Sequence, residues 1–314
     1  MPSIKSPRKG SMQFWPRKRA KRVYARVRAW AGKKDSKPLG FIGYKAGMTH
    51  TIGVNENKNS HLKGEEMFVP MTILECPPMK IYSARFYKKT GLDTQVSKEV
   101  FFKTEKDFLR KAKPAKDSSK ELASINAEDY HDILITVYTQ PSKMGFGKKK
   151  PEIIELGLGG SKEDKLAYIK EHFEKEISVA DVFGENDLID IHAITKGKGT
   201  QGPVRRFGIG IRHHKSEKSI RNPGSLGPWI RQQHISWRVS HAGQMGFHQR
   251  TEHNKQILKI TDNLDLAPKN IHKYGDVKST FITIYGSVAG PKKRPVILTN
   301  PIRAKTKKHQ LALQ

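Results

Sequence analysis

The 314-residue sequence predicts a mixed α/β fold, mainly β: a small closed barrel with an α/β insertion and long basic extensions. Three observations predict it. Short runs rich in Val, Ile, Thr, Phe and Tyr recur near both ends of the chain. Helical signals concentrate in the middle. The formal net charge of +29 is confined to three segments.

The β runs are Leu39–Tyr44, Met48–Val54, Phe68–Glu75, Lys80–Tyr87, Ile133–Thr139, Leu188–Thr195, Phe281–Val288 and Pro295–Leu298. Most are bounded by Gly, Pro or Asn, the residues that interrupt strands. Leu188–Thr195 alternates in part, as a half-buried strand does. Gly40, Gly43, Gly47 and Gly53 punctuate the first pair, and strand glycines mark bulges or bends. Strands drawn from both ends of a chain favour closure, because closure removes exposed edges.

The middle reads as helix. Ser161-Lys-Glu-Asp164 is a capping box with Asp in place of Glu. Leu166, Ile169, Phe173 and Ile177 then follow on one helix face. Asp107–Lys113 and Lys120–Asn126 are further helix candidates, separated by Pro114. The expected organisation is a basic N-terminal extension over 1–38 and a barrel body built from 39–77, 186–195 and 256–298. An α/β insertion covers 78–185, a glycine-rich basic extension 196–255, and a basic tail 299–314.

The charge is partitioned. Residues 1–38 hold 13 Lys/Arg against Asp35; residues 196–255 hold 12 against Glu217 and Glu252; residues 291–314 hold seven and no acid. The rest of the chain is electrically neutral. These basic segments lack the apolar periodicity of a core: 196–255 has nine glycines and scattered Val, Ile and Leu. Such stretches bury too little apolar surface to offset their ordering entropy, whereas a polyanion orders them by neutralising charge. Arg and Lys supply phosphate contacts, and Trp229, Trp237 and Phe247 offer flat faces to unpaired bases. Glycine at this density opposes the long helices that read DNA grooves.

Other classes are excluded in turn. The longest apolar stretch, Ile133–Tyr138, is too short to span a bilayer as a helix. The N-terminal residues lack the apolar run of a secretory signal. A single cysteine, Cys76, rules out an internal disulfide and a thiolate-rich zinc site, which fits a reducing, cytoplasmic setting. Gly197-Lys-Gly199-Thr-Gln-Gly202 matches G-x-G-x-x-G, but Pro203 and further glycines follow with no helical pattern, so a dinucleotide site is not expected. Six histidines fall in 196–255: His213, His214, His234, His241, His248 and His253. None has metal-ligand spacing, and few acids lie near to orient a base. No catalytic residue, cofactor or metal is expected. The alternative is an RNA-processing or RNA-modifying enzyme using this histidine-rich arm; a third reading is a DNA-architectural protein.

A resemblance sharpens this reading. Pro7–Met12, Gly40–His50, Pro77–Met79, Thr195–Val204, Gly224–Trp229, Ala242–Thr251 and Gly286–Arg294 occur in the order found in the family of the third universal ribosomal protein of the large subunit, in its archaeal and eukaryotic form. The resemblance implies a six-stranded translation-protein-type barrel and rRNA-binding extensions. It implies a structural, non-enzymatic part of the large ribosomal subunit that binds rRNA near its 3′ end, early in assembly. It also implies neighbours of the universal L-fourteen and L-twenty-four-e types, with no membrane and no homo-oligomer. The central extension would reach toward the peptidyl transferase centre, with Trp237 matching the tryptophan at its tip, which influences tRNA accommodation. The candidate rRNA contacts are Arg8, Lys9, Arg17, Lys18, Arg19, Lys21, Arg22 and Lys45; Lys196, Lys198, Gly199, Arg205, Arg206, His213, His214 and Arg221; Trp229, Arg231, Trp237, Arg238, His248 and Arg250; and Lys292, Lys293 and Arg294.

Overall fold

The computed structural model describes residues 16–227, 235, 237, 239–263, 268–304, 309 and 311–313. The described chain is mainly β with few helices, and it divides into two compact units. One takes the chain up to Arg22 together with Ile194–Gln249; the other takes Val23–Ala193 and Arg250–Gln314.

The larger unit contains two sheets. In chain order its strands are β1 (Gly40–Asn55), β2 (Glu66–Glu75), β3 (Met79–Thr90), β4 (Asp93–Phe101), β5 (Asp132–Thr139) and β6 (Ile153–Gly157). Two helices follow, α1 (Lys162–His172) and α2 (Val179–Val182), and then β7 (Leu188–Ile194). The smaller unit adds β8 (Thr200–Gln201), α3 (Pro203–Phe207) and β9 (Gly243–Gln244); β10 (Gln249–Thr261), β11 (Phe281–Tyr285), β12 (Pro295–Thr299) and β13 (Leu311–Leu313) complete the chain. One sheet runs β12-β7-β10-β11-β2-β1-β13, and β12 also pairs with β1. Hydrogen bonding therefore passes through six strands and returns to its start. The antiparallel register sets Gly40 opposite Thr299 and Tyr44 opposite Pro295 on one edge of β1, and Tyr44 opposite Glu75 on the other. Phe41, Ile42, Ile73, Leu74, Ile191, Ile257, Ile284 and Ile297 are buried in this unit. The second sheet, β4-β3-β5-β6, is an antiparallel series within 79–157.

Several expectations need correction. Leu39–Tyr44 and Met48–Val54 are one strand, carried through Lys45–Gly47 by a register shift rather than a turn. Gly43 is needed there: a Cβ would lie 2.9 Å from the Cys76 sulfur. Six strands, β4, β6, β8, β9, β10 and β13, match none of the β runs read from the sequence, and β10 begins at Gln249, before the expected body segment at 256. Asp107–Lys113 and Lys120–Asn126 form only 3₁₀ turns, at Lys106–Arg110 and Ser119–Ser124. Segments this short, one of them ending before Pro114, do not recover the cost of nucleating an α-helix.

The Ser161 capping box forms as read: Asp164 N–H donates to Ser161 Oγ at 3.2 Å, and Ser161 N–H donates to Asp164 Oδ2 at 2.9 Å. Leu166 and Ile169 are buried on that helix. Ile177, however, lies beyond the helix and makes a β-bridge to Met79. After Gly202 a five-residue helix does form over Pro203–Phe207, with Pro at its first position and Gly208 closing it at φ 65°. It is too short for periodicity to reveal. The preceding strand β8 pairs antiparallel with β9, unlike the parallel crossover a dinucleotide fold requires.

Candidate nucleic-acid interface

The smaller unit is assembled from backbone and cations with little oil. From Ile194 to Gln249 its buried side chains are Ile194, Pro203, Arg206, Phe207 and His248 among the described residues. Glycine lets two backbone segments close on one another. Lys198 N–H donates to Met245 O and Met245 N–H to Gly199 O, each at 2.9 Å. At Gly246, φ is 74° and a Cβ would stand 2.0 Å from Lys196 O, so no other residue fits. Thr195 N–H donates to His248 O at 2.9 Å, and His248 N–H returns to Thr195 Oγ1 at 3.1 Å.

The N-terminal segment is tied into the same unit. Ala20 N–H donates to Phe247 O at 2.8 Å, and His248 Nδ1 donates to Lys18 O at 2.9 Å. The Arg19 guanidinium lies 5.3 Å from the centre of the Phe247 ring. Arg17 and Arg206 lie 5.0 and 5.1 Å from that of Phe207. Such cation–π contacts contribute roughly 0.5–2 kcal/mol each, depending on desolvation. Arg206 Nη1 also donates to His241 O at 3.0 Å. Burial first, then the Arg17 charge, lowers the Arg206 pKa.

The candidate contacts accordingly divide. Lys18, Arg19, Lys21, Arg22, Lys196, Lys198, Gly199, Arg205, His213, His214, Arg221 and Trp237 are exposed in this unit, and Arg17 is half-buried. Trp237 has 59% of its surface exposed, so it is not a core tryptophan. His213 and His214 have ring centres 4.1 Å apart. Arg206 and His248 are buried and hold backbone carbonyls. In the larger unit Arg250 and Lys293 are exposed, and Lys292 and Arg294 are half-buried. Lys45 is 7% exposed; its Nζ donates to Val288 O and, at 3.3 Å, to Gly290 O. Burial lowers its pKa; Glu252 opposes that and Lys292 adds to it. Arg8, Lys9, Trp229, Arg231 and Arg238 lie outside the described residues.

Sequence reasoning missed the bracing residues. Phe207 receives two guanidiniums, and the Gln244 amide donates to Gly246 O at 2.9 Å. The Arg-Arg-Phe run at 205–207 is the one local signal for the first. No group of three or more His, Cys, Asp or Glu side chains that could hold a metal occurs among the described residues. A surface with fixed cations, rings and glycine backbone can contact phosphates closely and stack on unpaired bases.

Comparison with known proteins agrees with this chemistry. The model of the ribosomal protein L3 family matches residues 1–313. The large ribosomal subunit protein uL3 of Archaeoglobus fulgidus is 43% identical over 307 residues, covering 95% of this chain and 92% of that protein. The uL3 of Methanothermobacter thermautotrophicus is 43% identical over 317 residues, covering 97% and 94%. That of Methanocaldococcus jannaschii is 40% identical over 312 residues, covering 96% and 92%. All three carry the name of a ribosomal protein and none that of an enzyme.

Proposed function

We propose a function from one premise: this chain belongs to the ribosomal protein L3 family. It is a structural constituent of the cytoplasmic large ribosomal subunit, bound to 23S-type rRNA near the 3′ end and joining early in assembly. The observation that carries this is the makeup of the smaller unit: a glycine-permitted backbone, braced by buried Arg206 and His248, with Lys18, Arg19, Lys21, Arg22, Lys196, Lys198, Arg205 and Arg221 exposed. A fold of this composition gains stability from a polyanion.

The finer reading has three parts. The six-strand cycle β1-β2-β11-β10-β7-β12 is a translation-protein-type barrel; its return pairing between β12 and β1 supports this. The 196–255 segment is the extension directed at the peptidyl transferase centre, where Trp237 stacks on a base; its exposure supports this. The exposed candidate cations contact phosphate, together with those beyond the described residues, while Lys45, Arg206 and His248 hold the backbone that presents them. Proteins of the universal L-fourteen and L-twenty-four-e types are the proposed neighbours. Sedimentation tests the assignment: the native protein should travel with large subunits at low salt and leave them at high salt. A protein that sediments alone at low salt refutes it.

A further inference from the structure

We infer that the outer face of the β1–β2 ribbon is a docking site for another protein of the same particle, one whose contact surface is apolar at its centre and rimmed with lysine or arginine. This rests on the assignment to the large subunit.

The register builds the face. Ile52 stands opposite Phe68 and His50 opposite Pro70, while Met48 lies two residues from His50 on the same side. Paired and alternate residues of antiparallel strands share a face. All five are exposed, and Phe68 has 62% of its surface open. The His50 and Phe68 rings stack with centres 4.2 Å apart and planes 25° apart. Leu62, in the turn joining the strands, is 52% exposed. A contiguous apolar face of this kind marks an interaction site, unlike single exposed apolar residues. The ribbon is also held at both ends: β13 pairs with Gly53–Asn55 and β12 with Gly40–Tyr44.

Charge selects the occupant. In a chain of net charge +29, residues 46–72 hold Lys58 and Lys63 against Glu56, Glu65 and Glu66. All five charged side chains are exposed. An RNA backbone would meet three carboxylates. A single stacked base would cover the His50–Phe68 pair and leave Met48, Ile52, Leu62 and Pro70 in water. A second copy would set carboxylate rim against carboxylate rim. A basic protein with an apolar contact patch satisfies both features.

The test places a photo-crosslinking amino acid at Phe68 of the full chain, assembled into large subunits and purified. Irradiation should join it to a peptide of one other ribosomal protein, identified by mass spectrometry, with Lys or Arg flanking apolar residues. In parallel, the Ile52→Asp, Phe68→Asp double variant should lower retention of that same protein on salt-washed particles by about tenfold. Its affinity for rRNA and its far-ultraviolet circular dichroism should match the parent chain. Crosslinks to rRNA, crosslinks to a second copy, no crosslink, or unchanged retention each overturn the inference. Absence of the parent chain from large subunits would instead overturn the assignment on which it rests.

Discussion

The division of candidate cations into exposed and buried sets makes a quantitative prediction about salt. Ten of them are both exposed and described: Lys18, Arg19, Lys21, Arg22, Lys196, Lys198, Arg205, Arg221, Arg250 and Lys293. If each meets one phosphate, these ten alone contribute a slope of about −7 to −9 in log affinity against log salt, taking about 0.7–0.9 per phosphate, and the candidate cations beyond the described residues steepen it further. Raising salt from about 50 to 200 mM then weakens binding by about 10⁴–10⁵. Replacing Lys196, Lys198 and Arg205 together with Ala should flatten the slope by about 2–3, because three counterion-releasing contacts are gone. Lys45→Met removes the same formal charge as any one of these substitutions, yet Nζ of Lys45 faces Val288 O and Gly290 O, so its slope should stay that of the parent chain while thermal stability drops. Filter binding to a 3′-region rRNA fragment, over a series of salt concentrations, measures every slope. An unchanged slope in the triple variant, or an equal flattening from Lys45→Met, refutes the assignment of exposed cations to phosphate and buried ones to carbonyls.

Three further outcomes are expected. The Glu75 carboxylate, wholly buried, accepts from the Tyr274 hydroxyl, from Lys278 N–H at 2.8 Å and from Ser279 N–H at 3.0 Å; Glu75→Ala should cost about 3–5 kcal/mol in chemical denaturation, and Glu75→Gln less. Burial lowers the pKa of His192, whose ring nitrogens lie 3.0 and 3.1 Å from the Thr251 and Thr299 hydroxyls. The unfolded chain therefore takes up the proton first, so the stabilising contribution is complete above the ordinary value of 6.5 and is lost as pH falls below it; His192→Gln should shallow the decline in melting temperature between about pH 7 and 5. Gly246→Ala meets Lys196 O and a left-handed backbone, so it should raise protease cleavage within 194–249 while melting of the larger unit is unchanged; unaltered cleavage would show that this turn is not needed.

What the sequence made legible was local or periodic. Ser161 and Asp164 form their capping box because both partners sit within one turn. Ile133–Thr139 and Leu188–Thr195 read as strands because their β-branched residues are buried wherever they pair. β4 and β6 escaped because their strand character comes from pairing with β3 and β5: Asp93–Lys98 is largely exposed and polar. β10 was hidden because Gln249–Lys255 reads as basic arm, and its pairing with β11 covers only Ile257–Thr261. The sorting of cations was illegible on stronger grounds. The carbonyl that takes the Lys45 ammonium belongs to Val288, 243 residues away, and nothing beside Lys45 in the chain distinguishes it from Lys196. A lysine bound to phosphate and one bound to a peptide oxygen are chemically the same side chain, and charge counting credits both to RNA. Only the fold separates them, by whether closing the backbone leaves the ammonium in water. The number of lysines and arginines in a basic segment is therefore an upper limit on the side-chain cations it can offer to phosphate, and each one that the fold buries against a carbonyl lowers that limit.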